Sequence, residues 1–114
     1  MSSINRCVLV GRLTRDPELR VTPSGVSVCN MTLAVDRRPK GDGSKEADFI
    51  DCVLFSQTAE ASAKYLSKGK LAAVEGRIQQ RSFETKDGQN RKVFEVICDN
   101  VQFLSPREDG GERE

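Results

Sequence analysis

From Arg6 to Val10 the chain reads Arg-Cys-Val-Leu-Val, a β-branched and apolar run that stops at Gly11. Such a run, cut by a glycine, predicts a buried strand ending at a bulge or tight turn. Asp16-Pro17 and Pro23-Ser24-Gly25 follow as turn signals around a short segment, because proline fixes φ and glycine accepts φ > 0. Val28, Cys29, Met31, Leu33 and Val35 then mark a second strand within residues 26–35, less cleanly faced. The stretch from Arg37 to Lys45, with two glycines, one proline and four cations, has the composition of a long exposed hairpin loop. Phe49 to Phe55 is a third strand, with Ile50, Cys52 and Leu54 on one face and Phe49, Asp51, Val53 and Phe55 on the other.

One helix is expected between Ser56 and Lys68. Ser56 or Thr58 is its candidate N-cap, Ala59, Ala63 and Leu66 form its apolar stripe, and Gly69 is placed to end it. Leu71 to Glu84 reads as a fourth strand, residues 85–90 as a turn built on Asp87-Gly88, and Arg91 to Leu104 as a fifth strand. This order predicts an all-β domain over residues 1–106: a five-stranded barrel with one helix between strands 3 and 4, the connectivity of an OB fold. Residues 107–114, Gly-rich and charged, are expected to be a flexible tail.

The fourth strand carries the sharpest signal. Val74, Gly76 and Ile78 alternate with Glu75, Arg77, Gln79 and Arg81, so one face is core and the other wet. Phe83 falls in register with the polar set, where burial gives an aromatic ring no reason to be. A ring among arginines suits base stacking with guanidinium groups on phosphates; the alternative is a ring covered by the facing hairpin strand or by a neighbouring subunit. For Phe49 and Phe55 the pattern divides evenly between core and outer surface.

Charge and composition narrow the rest. The net charge is +1, but residues 107–114 carry −2, which leaves +3 on residues 1–106. Arg37, Arg38, Lys40 and Lys45 crowd one loop, and Lys86, Arg91 and Lys92 surround the Asp-Gly hairpin. Two basic tips beside an aromatic, arginine-bearing face favour a polyanion. With no histidine, no nucleophile elbow and no phosphate-cradling glycine loop, catalysis is not expected, although Glu46 and Asp48 form an acid pair. Cys7, Cys29, Cys52 and Cys98 each sit in an apolar segment without a C-x-x-C pair, so buried free thiols are favoured over a zinc or disulfide framework. No cofactor or metal is expected, no apolar run suggests a membrane span, and no export signal is evident.

Several blocks in order, Val8-Leu9-Val10-Gly11-Arg12-Leu13, Asp16-Pro17-Glu18-Leu19-Arg20 with Thr22-Pro23-Ser24-Gly25, Leu33-Ala34-Val35, Tyr65-Leu66-Ser67-Lys68-Gly69 and Val74-Glu75-Gly76-Arg77, carry a family resemblance over residues 4–104. Through them the chain resembles bacterial single-stranded-DNA-binding proteins. The resemblance implies an OB barrel, sequence-tolerant binding of single-stranded DNA in replication, recombination and repair, a homotetramer formed by strand pairing, and a cytoplasmic, nucleoid-associated setting. It places the stacking rings at Phe49, Phe55 and Phe83. Phosphate contacts are expected from Arg12, Arg37, Arg38, Lys40, Arg77, Arg81, Lys86 and Arg91. Pro39 and Val21 stand where other members often have aromatic residues, and Asp51 lies where a basic or polar residue is common, which implies weaker binding per site. Recruitment of replication and repair proteins is expected only with a longer acidic tail than residues 107–114 supply. A primosome-type replication-restart protein and an OB-fold interaction protein without nucleic acid are the alternatives.

Overall fold

The computed structural model describes residues 2–39 and 41–105, so Lys40 and the tail expected at 107–114 lie outside the described residues. Six strands and one helix follow in the order β1 (Cys7–Leu13), β2 (Glu18–Val21), β3 (Ser27–Asp36), β4 (Ala47–Phe55), α1 (Ser56–Tyr65), β5 (Leu71–Glu84) and β6 (Asn90–Phe103). The sheet order is β1-β5-β6-β4-β3-β2, and β1 pairs again with β3 through Arg12↔Ala34 and Leu13↔Leu33, closing a ring of five strands. With a helix between its third and fourth ring strands, this is the arrangement expected of an OB fold. The short segment between the two proline turns adds a four-residue strand, β2, on the outside of β3, so in chain order the helix stands between β4 and β5.

Ring closure depends on two glycines. A Cβ on Gly11 would lie 2.6 Å from the Ala34 carbonyl oxygen, so β1 can cross β3 only where a side chain is missing. The sequence pattern predicts a strand-ending turn at this glycine; instead the strand runs on to Leu13. A Cβ on Gly76 would collide with the Ile97 carbonyl, at the point where the β5–β6 register shifts between Glu75 and Gly76. That bulge bends β5 out of the ring.

The ring interior is filled by alternate residues: Cys29, Met31 and Leu33 from β3, Cys52 and Leu54 from β4, Ala72 and Val74 from β5, Val96 and Cys98 from β6, with Leu13. Helix α1 packs on β3, β4 and β6, inserting Ala59 and, just past its end, Leu66. The helix is shorter than the expected Ser56–Lys68. It stops at Tyr65 with Leu66 as C-cap, and Gly69 (φ 88°) serves a later turn in which its N–H bonds the Leu13 carbonyl. Its N-cap is Phe55 rather than Ser56 or Thr58; no side chain caps it, and Ser56 takes the left-handed region at φ 58°. All four cysteines are free, with Cys29, Cys52 and Cys98 buried and Cys7 half-buried. Burial pushes the Cys29 and Cys7 thiols up, and hydrogen bonding to Cys98 together with burial raises Cys52 strongly. The same hydrogen bond with Cys52 lowers the Cys98 thiol, against the opposing effect of its burial.

Candidate nucleic-acid interface

The outer face of β3, β4, β6 and β5 is continuous, and the strand register aligns its residues in transverse rows. One row runs Thr32, Asp51, Glu95, Gln79; the next runs Asn30, Val53, Ile97, Arg77. The alternation of β4 settles the even choice left for its phenylalanines. Cys52 and Leu54 are fully buried inward, so Phe49 and Phe55 point outward, 70% and 41% exposed. Val53, on the same outer face, is nearly buried with Val28 and Ile97 in a small second cluster, an apolar floor beside the Phe55 ring.

Beyond Gly76, β5 leaves β1 behind, and beyond Gln79 its β6 partners pair with no third strand, so Gln80–Glu84 and Asn90–Phe94 extend the Arg77–Gln79 segment out of the ring as a two-stranded ribbon. Every residue from Arg77 to Glu84 is exposed. Phe83 stands directly opposite Arg91, and the Arg81 guanidinium lies 5.9 Å from the Phe83 ring centroid, within cation–π range. The ring is 41% exposed, so the facing hairpin strand does not cover it. Arg81 also donates from Nε to Glu95 Oε1 at 3.4 Å, which holds the guanidinium near the ring.

Of the eight cations expected to meet phosphate, six lie on this face or in the segments beside it, with Arg81 also paired to Glu95, one is clamped by two carboxylates, and one lies outside the described residues. Arg12 lies in a row with Ala34 and Phe49. Arg77, Arg81 and Arg91 line the ribbon, Lys86 lies in its turn, and Arg38 is exposed where the long loop begins. Arg37 differs: its guanidinium grips both oxygens of Asp48, with Nη2 to Oδ1 at 2.8 Å and Nε to Oδ2 at 3.2 Å, and it reaches Glu46 at 3.2 Å. The acid pair Glu46 and Asp48 therefore serves this clamp, and the Arg37 bond holds the Asp48 carboxyl below its ordinary range. Lys40 lies outside the described residues.

Two exposed apolar residues are not signalled by the sequence pattern. Phe94 is 65% exposed and Ile78 46%, on the ribbon face opposite Phe83. Their alternation matches the core residues Val74, Val96 and Cys98, so parity alone assigns them inward. Only the length of β5 and β6, fourteen residues each, signals that the strands outrun the core.

Among the described residues, no set of three or more histidine, cysteine, aspartate or glutamate side chains is placed to hold a metal ion, and no helix is long and apolar enough to cross a membrane. The face thus offers stacking, hydrogen bonding and cationic contacts. Comparison with known proteins accords with this chemistry. Over 97% of its length the chain is 54% identical to "Single-stranded DNA-binding protein 1" of Staphylococcus aureus, covering 69% of that protein. It is 53% identical to the "Single-stranded DNA-binding protein" of Bacillus cereus over 96% of its length, covering 65% of that relative. The sequence model of the single-strand binding protein family matches residues 4–104, and the chain belongs to that family.

Proposed function

We propose that this chain is a non-enzymatic protein that binds and coats single-stranded DNA during replication, recombination and repair. The observation that carries the reading is Phe83, held exposed between Arg81 and Arg91 on the same outer face as Phe49 and Phe55. A base plane stacks on such a ring whatever its identity, and each stack contributes about 1 to 3 kcal/mol. Duplex DNA keeps its base planes inside the stack and has none to offer. Arg12, Arg38, Arg77, Arg81, Lys86 and Arg91 follow the phosphates, with Lys40 in the adjoining loop where Arg37 is held by Asp48 and Glu46, and counterion release makes the binding salt-sensitive.

The working form is a homotetramer. Two features support self-association. The edge of β1 from Cys7 to Gly11 that faces away from β5 has no strand partner among the described residues, and Val8 and Val10 stand 64% and 50% exposed on that strand. We place the protein in the cytoplasm on nucleoid DNA, with residues 1–106 as the binding domain and 107–114 as a charged tail; replication and repair enzymes join where a longer acidic tail exists.

Anisotropy of a labelled oligo(dT), with a duplex control and a salt titration, tests the function. Tight single-strand binding that weakens with salt supports it, whereas equal binding to the duplex, or none, overturns it.

A further inference from the structure

The middle of the stacking face is acidic. Asp51 occupies β4 between the outward rings Phe49 and Phe55, and directly beside it on β6 lies Glu95. Neighbouring strands lie about 5 Å apart, so these two like charges are close, an arrangement that costs stability unless something else uses it. Each carboxylate is held. Thr32 on β3 donates its hydroxyl to Asp51 Oδ1 at 2.9 Å, and Glu95, nearly buried, accepts from Arg81 at 3.4 Å. Asp51 remains exposed, its orientation fixed by Thr32. An ionised carboxylate only accepts hydrogen bonds, and its two oxygens offer about four lone-pair sites, so the Thr32 bond leaves most of that capacity open.

Phe49 is the adjacent outward residue on β4, so a base stacked on its ring can turn an edge toward this carboxylate. Cytosine, adenine and guanine present exocyclic amino groups to an acceptor, while thymine presents a carbonyl at the corresponding position. Resting on the single-strand reading above, we propose that Asp51 is a specificity-determining residue that biases this face toward bases carrying an exocyclic amine and against thymine. The bias acts through hydrogen bonding at the base edge, so it adds a preference to stacking that accepts every base.

Competition anisotropy with oligo(dC) and oligo(dT) of equal length, at one salt concentration, compares the full chain with its Asp51→Asn variant. Asparagine keeps the shape and an acceptor for Thr32, while its NH2 adds a donor that suits the thymine carbonyl. The proposal expects the dC-to-dT affinity ratio to fall about fivefold or more on substitution. An equal rise for both oligomers identifies Asp51 as simple repulsion of the backbone and overturns the proposal, leaving single-strand binding intact. An unchanged ratio overturns it as well. Failure of the unsubstituted chain to bind either oligomer removes the single-strand reading itself, and this inference with it.

Discussion

Arg37 and Asp48 form a two-point fork across the base of the long loop, and the Arg37 backbone N–H also bonds the Glu46 carbonyl at 2.8 Å, so this cation closes a loop before it can meet a phosphate. Arg38, its neighbour, is exposed and makes no hydrogen bond or ion pair among the described residues. For single strands, each phosphate contact steepens the dependence of log K on log salt by about 0.7. Arg38→Ala is expected to reduce that slope by about this amount and Arg37→Ala to leave it nearly unchanged, as a salt titration of each variant measures.

The same fork has a pH signature. Asp48 is held below the ordinary aspartate value of 3.8, so its contribution is complete above that value and is lost only as pH falls through the lower folded-state value. An NMR titration of the Asp48 carboxyl should show its midpoint rising toward 3.8 in Arg37→Ala.

Phe49 and Phe83 are exposed, so their removal separates binding from stability. Each alanine substitution is expected to weaken oligo(dT) binding by about 1 to 3 kcal/mol while the thermal midpoint barely moves. Unchanged affinity in both would put the assigned face in error.

Gly11 is expected to tolerate no side chain. In Gly11→Ala the new methyl meets the Ala34 carbonyl and Val35 Cγ2, and overpacking of this kind costs about 1 to 3 kcal/mol. A lowered urea midpoint measures it; because the collision lies on the β1–β3 seam, amide exchange should quicken first at Arg12 and Leu13.

Ser62 presents the opposite opportunity. Its hydroxyl is fully buried beneath α1 and finds no hydrogen-bond partner among the described residues. Such a group costs about 1 to 3 kcal/mol, and alanine is also the better helix former. Ser62→Ala should therefore raise the unfolding free energy by about 1 kcal/mol or more, with DNA affinity unchanged.

Strand alternation makes most of the ring legible in the amino-acid sequence. The split of β4 into Ile50, Cys52 and Leu54 against Phe49, Val53 and Phe55 needs only period two, and the same logic places Phe83 with Arg77 and Arg81. Other features are not legible, each for a tertiary reason. Residues 18–21 pattern as loop because β2 lies on the outside of β3 and buries little. The helix ends three residues early because its last turn gives way to a loop that Leu13 and Asp16 tie down by hydrogen bonds to Gly69 and Lys68. Phe94 and Ile78 have the alternation of core residues, and are exposed only because β1 and β4 stop short of them. Arg37 has the composition of a free cation because its partners, nine and eleven residues away, come close only when the loop closes.

The ribbon formed by the ends of β5 and β6 is a module whose length the core does not set. No residue from Arg77 to Glu84 is buried, so adding a residue pair to each strand lengthens the arm by about 7 Å and preserves the facing of every side chain, since the pleat repeats every two residues. Relatives sharing this ring can therefore differ in how far they reach along a strand of DNA, with the arm as an adjustable ruler and the ring as its fixed handle.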